Sequence, residues 1–319
     1  MDEGEIDGPP SRQVIALSID YVLKIADIVT QGAQGDLVTA VVYLAISRAN
    51  LREAFKSPRT ARRHAGVLDV PDDQARQSVS VLAISRELAL PYETTRRHVG
   101  KLTALGLCRR GEDGGVVIPY EVASGEASLS GIDAIWRATL VFICDLDALG
   151  VTYEAKRRRI APDFRRIVAR MAAYYLLDLL NLARASVGLN TQTALLVLAI
   201  IRANSLHIAR DAEAGPRYAR PDTPPPDDLR RPVTTHAIAR QLKMPYETAR
   251  RQVGWLEAAG LCTRRGRGLI IPTSALERPE MLHAIEANWA LARSLMENLA
   301  GLGLGAAQAR RWLQRDGRT

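Results

Sequence analysis

The pattern of apolar and polar positions over residues 80–119 predicts a helix, a tight turn and a second helix. After Ser80, a residue type favoured at helix N-caps, Ile84 and Leu88 are four residues apart, as on the buried face of a helix. Pro91 then separates this helix from the next, because the residue before a proline disfavours helical backbone while proline itself is tolerated in a first turn. The second helix has an apolar face at helical spacing, formed by Thr95, Val99, Leu102 and Leu105. A Gly-Leu-Cys sequence, a turn rich in Gly and Arg, and a β-branched run over 116–118 follow, which predicts a helix end and a short β-hairpin.

The same pattern occurs a second time over residues 234–272. Between 81–108 and 235–262, 17 of 28 positions are identical, including an unbroken Pro-Tyr-Glu-Thr run, which chance does not produce. The second hairpin is shorter by one residue. Upstream, the sequences Thr-Ala, Leu-Ala-Ile and Arg-Ala-Asn recur at the same offset of 154 residues, which predicts an equivalent first helix in each copy. The 319 residues therefore divide into two copies of one unit.

These repeats predict the domain organisation of the chain. It comprises an acidic disordered tail (1–12), a first repeat (13–150) with its motif at 80–119, a basic linker (151–167), a second repeat (168–305) with its motif at 234–272, and a basic C-terminal tail (306–319). Helices over 132–149 and 285–302 share an Ile-acid-Ala-x-Trp sequence, and we expect them to join the first helices in a helical platform with their tryptophans in its core. The segments 56–77 and 211–232 are rich in Pro, Asp and Arg, and are expected to be long mobile loops. They act either as disordered spacers or as arms whose arginines contact phosphate.

Charge and cysteine usage narrow the class of protein. The formal net charge is +8, and the first ten residues hold four carboxylates and no basic residue, so the remainder carries +12. This excess favours a polyanionic partner, with a solvated basic surface as the plainer alternative. Cys108 and Cys262 occupy equivalent positions, which predicts small buried side chains rather than a disulfide, and hence a reducing, cytoplasmic location. The acidic N-terminus is unlike a signal peptide and no apolar run approaches 18 residues, so no membrane partner is expected.

The repeated stretch resembles winged helix-turn-helix transcription regulators of the MarR and GntR kind. The resemblance is carried by Tyr92, Glu93 and Thr94 at the helix start, then Arg96 and Arg97, then Val99 and Leu102, the Ala-Leu-Gly-Leu sequence ending at Leu107, and an Arg- and Gly-bearing wing. It covers both motif stretches, about a quarter of the chain, and departs from the family in its mid-helix glycines and in lacking the sensor domains of such regulators. It implies a mainly α fold with small β-wings, built as two tandem winged helix-turn-helix repeats joined by a helical platform. The second helix of each repeat would enter the major groove of double-stranded DNA, with the wing on the backbone or minor groove.

The predicted DNA-binding side chains lie on the second helices, at the N-caps and on the wings. In the first copy they are Ser80, Tyr92, Glu93, Thr94, Arg96, Arg97, Lys101, Arg109 and Arg110; in the second they are Thr234, Tyr246, Glu247, Thr248, Arg250, Arg251, Arg264, Arg265 and Arg267. The forked arginines suit guanine edges or phosphates, and the Tyr and Thr side chains suit phosphate or a thymine methyl group. The glutamates either accept from cytosine amino groups or simply favour a helix N-terminus. Gly100 and Gly254 predict the close approach of a phosphate or another helix, and the more basic second wing predicts tighter binding by the second half.

The expected function is that of a sequence-specific bacterial transcriptional regulator, associated with the nucleoid and acting as a monomeric pseudo-dimer or a homodimer. RNA polymerase or another regulator is a further candidate partner. A replication or partition factor is the first alternative, because tandem winged helices also occur in plasmid initiators, and a protein-binding adaptor is the second. No catalytic residue, metal or cofactor is expected: the five histidines are scattered, no P-loop or Gly-x-Ser-x-Gly motif occurs, and Gln252 stands where the first copy has His98.

Overall fold

A computed structural model of the chain describes residues 9–33, 35–151, 153–155, 163–188 and 190–316. The described residues are mainly helical, with two small two-stranded antiparallel sheets, which confirms the prediction of a mainly α protein with short hairpins. Most of the predicted acidic tail (1–8) and the basic run 156–159 of the predicted linker lie outside the described residues.

The elements of the two halves follow each other in the same order. In the first half they are α1 (Ser11–Gly32), α2 (Leu37–Leu51), α3 (Pro58–Arg63), α4 (Val81–Leu88), α5 (Tyr92–Ala104), β1 (Arg109–Arg110), β2 (Val116–Val117), α6 (Tyr120–Ser124) and α7 (Glu126–Ala148). In the second half they are α8 (Arg165–Val187), α9 (Thr191–Ala209), α10 (Ala214–Arg217), α11 (Thr235–Gln241), α12 (Tyr246–Ala258), β3 (Thr263–Arg265), β4 (Gly268–Ile270), α13 (Thr273–Leu276) and α14 (Pro279–Gly301). A further helix, α15 (Ala306–Asp316), ends the described chain. Helices α1 and α8, α2 and α9, α4 and α11, and α5 and α12 each begin 154 residues apart.

The centre of the molecule is formed by the long helices α1, α7, α8 and α14, which pack against one another. Helix α1 is buried on most of its circumference, as expected of a helix surrounded by others. Its Tyr21 stacks on Phe142 of α7, with ring centroids 4.3 Å apart, and its hydroxyl shares a hydrogen bond with Thr139 at 2.7 Å. The equivalent Tyr175 of α8 donates to Ser18 of α1 at 2.7 Å, so the helices are joined by polar as well as apolar contacts.

The opening helix of each half is bonded to the other half. Arg202 of α9 donates to Asp20 of α1 over 2.6 Å, and the backbone N–H of Arg12 donates to the Ala219 carbonyl over 2.9 Å. In the reverse direction, Arg48 of α2 donates to Asp178 of α8 over 2.7 Å. Each half therefore holds its partner's first helix, and the hydrophobic core is continuous across both.

The segments 56–77 and 211–232, which the sequence analysis expected to be long mobile loops, contain short helices and turns with defined contacts. Helices α3 and α10 and 3₁₀ turns at Asp73–Ala75 and Asp227–Leu229 lie within them. Arg76 and Arg230 are buried, and their guanidiniums donate to backbone carbonyls of the same segments. Composition pointed to the wrong conclusion here because these segments are held by charge-assisted hydrogen bonds rather than by apolar side chains.

Residues 306–316 of the predicted C-terminal tail form α15, which packs on α7. Arg310 forms an ion pair with Asp147, and Trp312 meets Trp136 edge to face at a centroid distance of 5.9 Å. Trp136 is buried as predicted, while its counterpart Trp289 is half-buried against the core.

Two helices, α7 and α9, are long and apolar enough by composition to cross a membrane. Core helices pass the same test, and both helices supply buried residues to the shared core, so this observation is weak evidence for a membrane.

Candidate nucleic-acid interface

The repeated helix pairs are joined by short turns, of three residues (89–91) in the first half and four (242–245) in the second. Helix α4 ends at Leu88, two residues earlier than the position of Pro91 suggested, because Ala89 adopts a left-handed backbone with φ of 43°. Lys243, the equivalent residue, has φ of 47°. Such a conformation costs a non-glycine residue roughly 1–2 kcal/mol, so both turns hold the chain in a tight, mildly strained geometry. This turn geometry lets α5 begin shortly after α4, and α12 shortly after α11.

The N-cap residues of the motifs are confirmed in their structural role. The Ser80 hydroxyl accepts a hydrogen bond from the Ala83 N–H at 3.1 Å, and the Thr234 hydroxyl accepts from the Ala237 N–H at 3.2 Å. Both residues remain exposed at the first turn of their helix.

A buried asparagine fixes each hairpin to the helix behind it. Asn204 of α9 donates to the carbonyls of Arg231 at 2.8 Å and Leu269 at 3.1 Å, and its Oδ1 accepts from the Ile271 N–H at 3.0 Å. Asn50 of α2 makes the equivalent three bonds in the first half, at 2.7, 3.0 and 2.9 Å. Both side chains are fully buried. In the sequence, the Arg-Ala-Asn that recurs in both halves marks the repeat, and this recurrence is the signal that could have identified the role of the asparagine.

The hairpins differ in how firmly their arginines are held. Strands β1 and β2 pair Arg109 with Val117, and the Arg109 guanidinium donates to Asp73 at 2.9 Å, while Arg110 donates to the Gly114 carbonyl at 2.9 Å. Both arginines of this first hairpin are exposed, but each has a partner within the chain.

In the second hairpin, strands β3 and β4 are closed by Gly266 and Arg267, with Gly266 at φ of 60°, where a glycine is favoured. Arg264 pairs with Glu257 at 2.8 Å, and Arg265 donates to the Asp227 carbonyl. Arg267 sits at the exposed tip and makes no hydrogen bond or ion pair with any residue that the structure describes. Asp73 and Asp227, which hold the hairpins, belong to the Pro-Asp-Asp sequence common to both loops.

The outer face of α5 is exposed and basic. Tyr92 is 47% exposed, and Arg96 forms an ion pair with Glu93 one turn earlier, at 2.9 Å. Lys101 pairs with Asp36, the N-cap of α2, at 2.8 Å. Arg97 is exposed and has no hydrogen-bond or ion-pair partner among the described residues.

Helix α12 repeats this arrangement. Tyr246 is 46% exposed, Arg250 pairs with Glu247 at 2.8 Å, and Arg251 is exposed without a partner in the described part of the chain. Thr94 and Thr248 are half-buried beside these faces. Trp255, 50% exposed, replaces Lys101. In this structure the two glutamates orient an arginine, a role that neither sequence interpretation had included.

No part of the described chain approaches the mid-helix glycines. A Cβ added at Gly100 or at Gly254 would meet no atom within 4 Å, and both residues are exposed. The sequence predicted that either a phosphate or another helix approaches these glycines. Within the described residues, no helix of the same chain does so. Each glycine leaves open space on the outer face, three residues after the unpaired arginine of its helix.

The inner face of α5 packs on α2. Thr95, Val99 and Leu102 are buried as predicted, but the assignment of Leu105 to this face is wrong, since it is 43% exposed beyond the last packed turn. His98 completes the buried face instead. Its Nδ1 lies 2.8 Å from the Thr39 hydroxyl, and burial lowers the pKa of His98. This position is therefore a polar anchor between α5 and α2, which explains why a glutamine can replace it in the second half.

The cysteines at the junctions between helix and hairpin are buried and unpaired, as predicted. Cys108 and Cys262 are each 3% exposed. Burial raises the pKa of both thiols, that of Cys262 to about 11. They act as small core residues beneath the hairpins.

The arrangement thus presents two equivalent outward surfaces, each with an exposed helix, an unpaired arginine and an adjoining hairpin. Among the described residues, no group of three or more His, Cys, Asp or Glu side chains could hold a metal ion. Comparisons of the chain with models of protein families, with curated proteins and with solved structures find no match.

Proposed function

We propose that the protein is a sequence-specific double-stranded DNA-binding transcriptional regulator, in which two tandem winged helix-turn-helix repeats within one chain act as a pseudo-dimer. Helices α5 and α12 are the recognition helices, and the hairpins β1–β2 and β3–β4 are the wings. The observation that carries the proposal is the pair of unpartnered, exposed guanidiniums, Arg97 and Arg251, at equivalent positions on two helices whose inner faces are firmly packed.

Several features support a nucleic-acid partner for these helices. An exposed arginine without an internal acceptor is free to make two parallel hydrogen bonds to a guanine edge or to phosphate. The glutamate pairs hold Arg96 and Arg250 beside it, so each helix presents two guanidiniums on adjacent positions. The open space at Gly100 or Gly254 gives a sugar-phosphate chain room to approach the helix backbone closely.

The charge distribution argues against a protein-binding adaptor. An adaptor surface would be expected to carry a contiguous apolar patch, whereas the outer faces of α5 and α12 are dominated by arginines. Tyr92, Tyr246 and Trp255 are aromatic exceptions on these faces, and each can lie against a sugar or a thymine methyl group.

The proposal is tested with a DNA site selected from a random duplex library by the purified chain. Arg97→Ala and Arg251→Ala should each cost about 1 to 3 kcal/mol on the selected site, and less on random DNA, if these guanidiniums read bases. Arg293→Ala is the matched control, because it removes the same charge from an exposed arginine of α14 that lies outside both motifs. Fluorescence anisotropy measures all three affinities.

Failure to select any site at low salt, or equal losses for all three variants, would contradict the proposal. Equal losses on selected and random DNA for Arg97→Ala and Arg251→Ala alone would reassign them to phosphate contact. A genome-wide occupancy map then separates a regulator, bound at many promoters, from a replication or partition factor, bound at one origin-like locus.

A further inference from the structure

Two cavities lie at equivalent places in the two halves. The first, of about 190 Å³, lies between α2, α7 and α8. The second, of about 70 Å³, lies between α9, α14 and α1. Pro71 and Pro225 line corresponding walls, as do Ile132 and Ile285. Because each opening helix packs on both halves, each cavity is walled in part by the first helix of the other half.

Three arginines surround the first cavity. Arg76 has a side chain that is 2% exposed; its Nη2 donates to the Pro71 carbonyl at 3.0 Å, but its Nε has no hydrogen-bond partner and lies 3.5 Å from Asp73. Arg170 has a buried Nη2 without a partner, and its guanidinium lies 3.4 Å from the centre of the Phe55 ring. Arg166 donates to the carbonyls of Val67 and Ala123.

No carboxylate in the described chain accepts a hydrogen bond from Arg76, Arg166 or Arg170. Burial lowers the pKa of Arg170 to about 10, and it also lowers the pKa of Arg76 and Arg166. Three guanidiniums thus line one partly apolar cavity, and among the described residues the one carboxylate within ion-pair distance of any of them is Asp73, 3.5 Å from Arg76. Two buried N–H groups have no acceptor. Buried unpaired donors are costly, so such an arrangement calls for an anion.

The second cavity allows the arginines at equivalent positions of the two halves to be compared. Arg230, the counterpart of Arg76, donates its Nε to Asp227 at 3.2 Å, and Arg12, the counterpart of Arg166, donates to the Arg220 carbonyl at 3.1 Å. Ala16 stands in the place of Arg170. The second cavity is therefore lined by one guanidinium, that of Arg12, instead of three. Its donors are satisfied and its volume is smaller, so it has no need of an anion.

We propose that the first cavity binds a small amphipathic carboxylate, with its head group on Arg76 and Arg170 and its apolar body against Tyr43, Leu44 and Ile132. A carboxylate offers two acceptor oxygens for the two unpartnered donors and carries a single charge. A phosphate group would bring more charge and more acceptors than this otherwise apolar lining can solvate. The site does not depend on the proposed DNA-binding function.

Isothermal titration calorimetry of the full chain, without DNA, tests the inference directly. The probes are octanoate and benzoate, with 1-octanol and benzyl alcohol as their neutral counterparts. At least one carboxylate is expected to bind at a single site, with its alcohol bound roughly tenfold or more weakly. Since no DNA is present, the outcome is independent of whether the helices bind DNA.

Two variants locate the site. Arg170→Ala introduces the residue found in the second cavity, and it should weaken carboxylate binding at least roughly tenfold. Gly131→Leu places a side chain into the cavity from α7, where an added Cβ meets nothing within 4 Å, and it should abolish binding without lowering the thermal midpoint. Arg293→Ala controls for the loss of one positive charge and should leave the affinity unchanged.

The inference is overturned if neither carboxylate binds at up to about 10 mM, a concentration that would reveal even weak association. It is also overturned if the alcohols bind as well as the acids, or if Arg170→Ala and Gly131→Leu, both folded by their melting curves, bind like the wild type. If Arg170→Ala does not fold, Arg76→Lys provides the same test, because a lysine keeps the charge but cannot reproduce the forked donors, and unchanged affinity there would count against the site.

Discussion

The buried amide of Asn204 offers a quantitative test of how the second hairpin is held on α9. Replacing it by alanine removes three hydrogen bonds to backbone groups. The Leu269 carbonyl keeps a second partner, the Val233 N–H at 3.1 Å, but the Arg231 carbonyl and the Ile271 N–H lose the bonds described above. Two backbone groups, the buried Ile271 N–H and the partly buried Arg231 carbonyl, are thus left without the partner that the amide supplied.

The expected loss of stability follows from these two groups. Each unsatisfied buried group costs about 1 to 3 kcal/mol, so two such groups give about 2 to 6 kcal/mol. Because the Arg231 carbonyl is only partly buried, Asn204→Ala should lower the free energy of unfolding by an amount in the lower half of this range. This is a large part of the roughly 5 to 15 kcal/mol that is typical of folded proteins. Asn50→Ala should have a similar effect, because the geometry of the two sites is nearly the same.

Urea unfolding followed by circular dichroism measures the effect, with the slope of the transition checked for a change in mechanism. Asn298→Ala is the matched control: its amide also donates to a backbone carbonyl, that of Ser294 at 2.8 Å, but at an exposed site of α14. The control should lose less than about 0.5 kcal/mol. A loss below about 1 kcal/mol for Asn204→Ala, or equal losses for variant and control, would refute the argument that the amide clamps the hairpin.

Four further outcomes are expected. Ala89→Gly should raise the free energy of unfolding by up to about 1 kcal/mol in the same urea assay, because glycine relieves the left-handed backbone, and a loss of stability would contradict the strain. If the helices bind DNA, a plot of log affinity against log salt concentration should have a slope of about −0.9 per phosphate neutralised. Arg267→Ala removes the unpartnered arginine at the tip of the second hairpin and should make that slope less steep. An unchanged slope would show that the hairpin tip does not contact DNA. Footprinting of the monomeric chain should show two unequal half-sites about 34 to 36 Å apart or a multiple of this, with the second motif dominant, and a single protected half-site would rule out a fused pseudo-dimer. Because the pKa of Cys262 is raised to about 11, its thiol is protonated at pH 8. A thiol-specific reagent should therefore modify half-buried Cys144 first, and should react with Cys262 only as the pH rises towards 11 or the chain unfolds. Rapid labelling of Cys262 in the native chain at pH 8 would contradict its burial.

The local elements were predictable from the sequence because their signals are local. The N-cap residue Ser80, the buried pair Ile84 and Leu88, and the proline that follows are close in sequence, and the second copy repeated each signal independently. The hairpins were predictable for the same reason. Leu105 was assigned wrongly because helical spacing continues one turn beyond the point where packing on α2 ends.

The contacts that depend on distant parts of the chain were not predictable. Periodicity shows that α1 has apolar faces, but it does not show that they pack on the second half. The burial of Arg76 and Arg230 depends on backbone carbonyls that the turns of their segments bring close, and composition alone indicated mobile loops. The ion pairs of Glu93 and Glu247 were readable in principle, since an acid three residues before an arginine on a helix is a known stabilising spacing.

The packing of each opening helix against the opposite half has a consequence for how the two halves can diverge. Arg170 belongs to the second half by sequence, yet it lines the cavity of the first half, while Ala16 of the first half lines the cavity of the second. A substitution in either opening helix therefore alters the chemistry of the opposite half. In a homodimer of one repeated unit such a change would appear in both cavities at once, whereas a single chain can acquire an arginine on one side and keep an alanine on the other. Covalent fusion thus allows two cavities of common origin to specialise separately, although neither half contains all of the residues that define its own cavity.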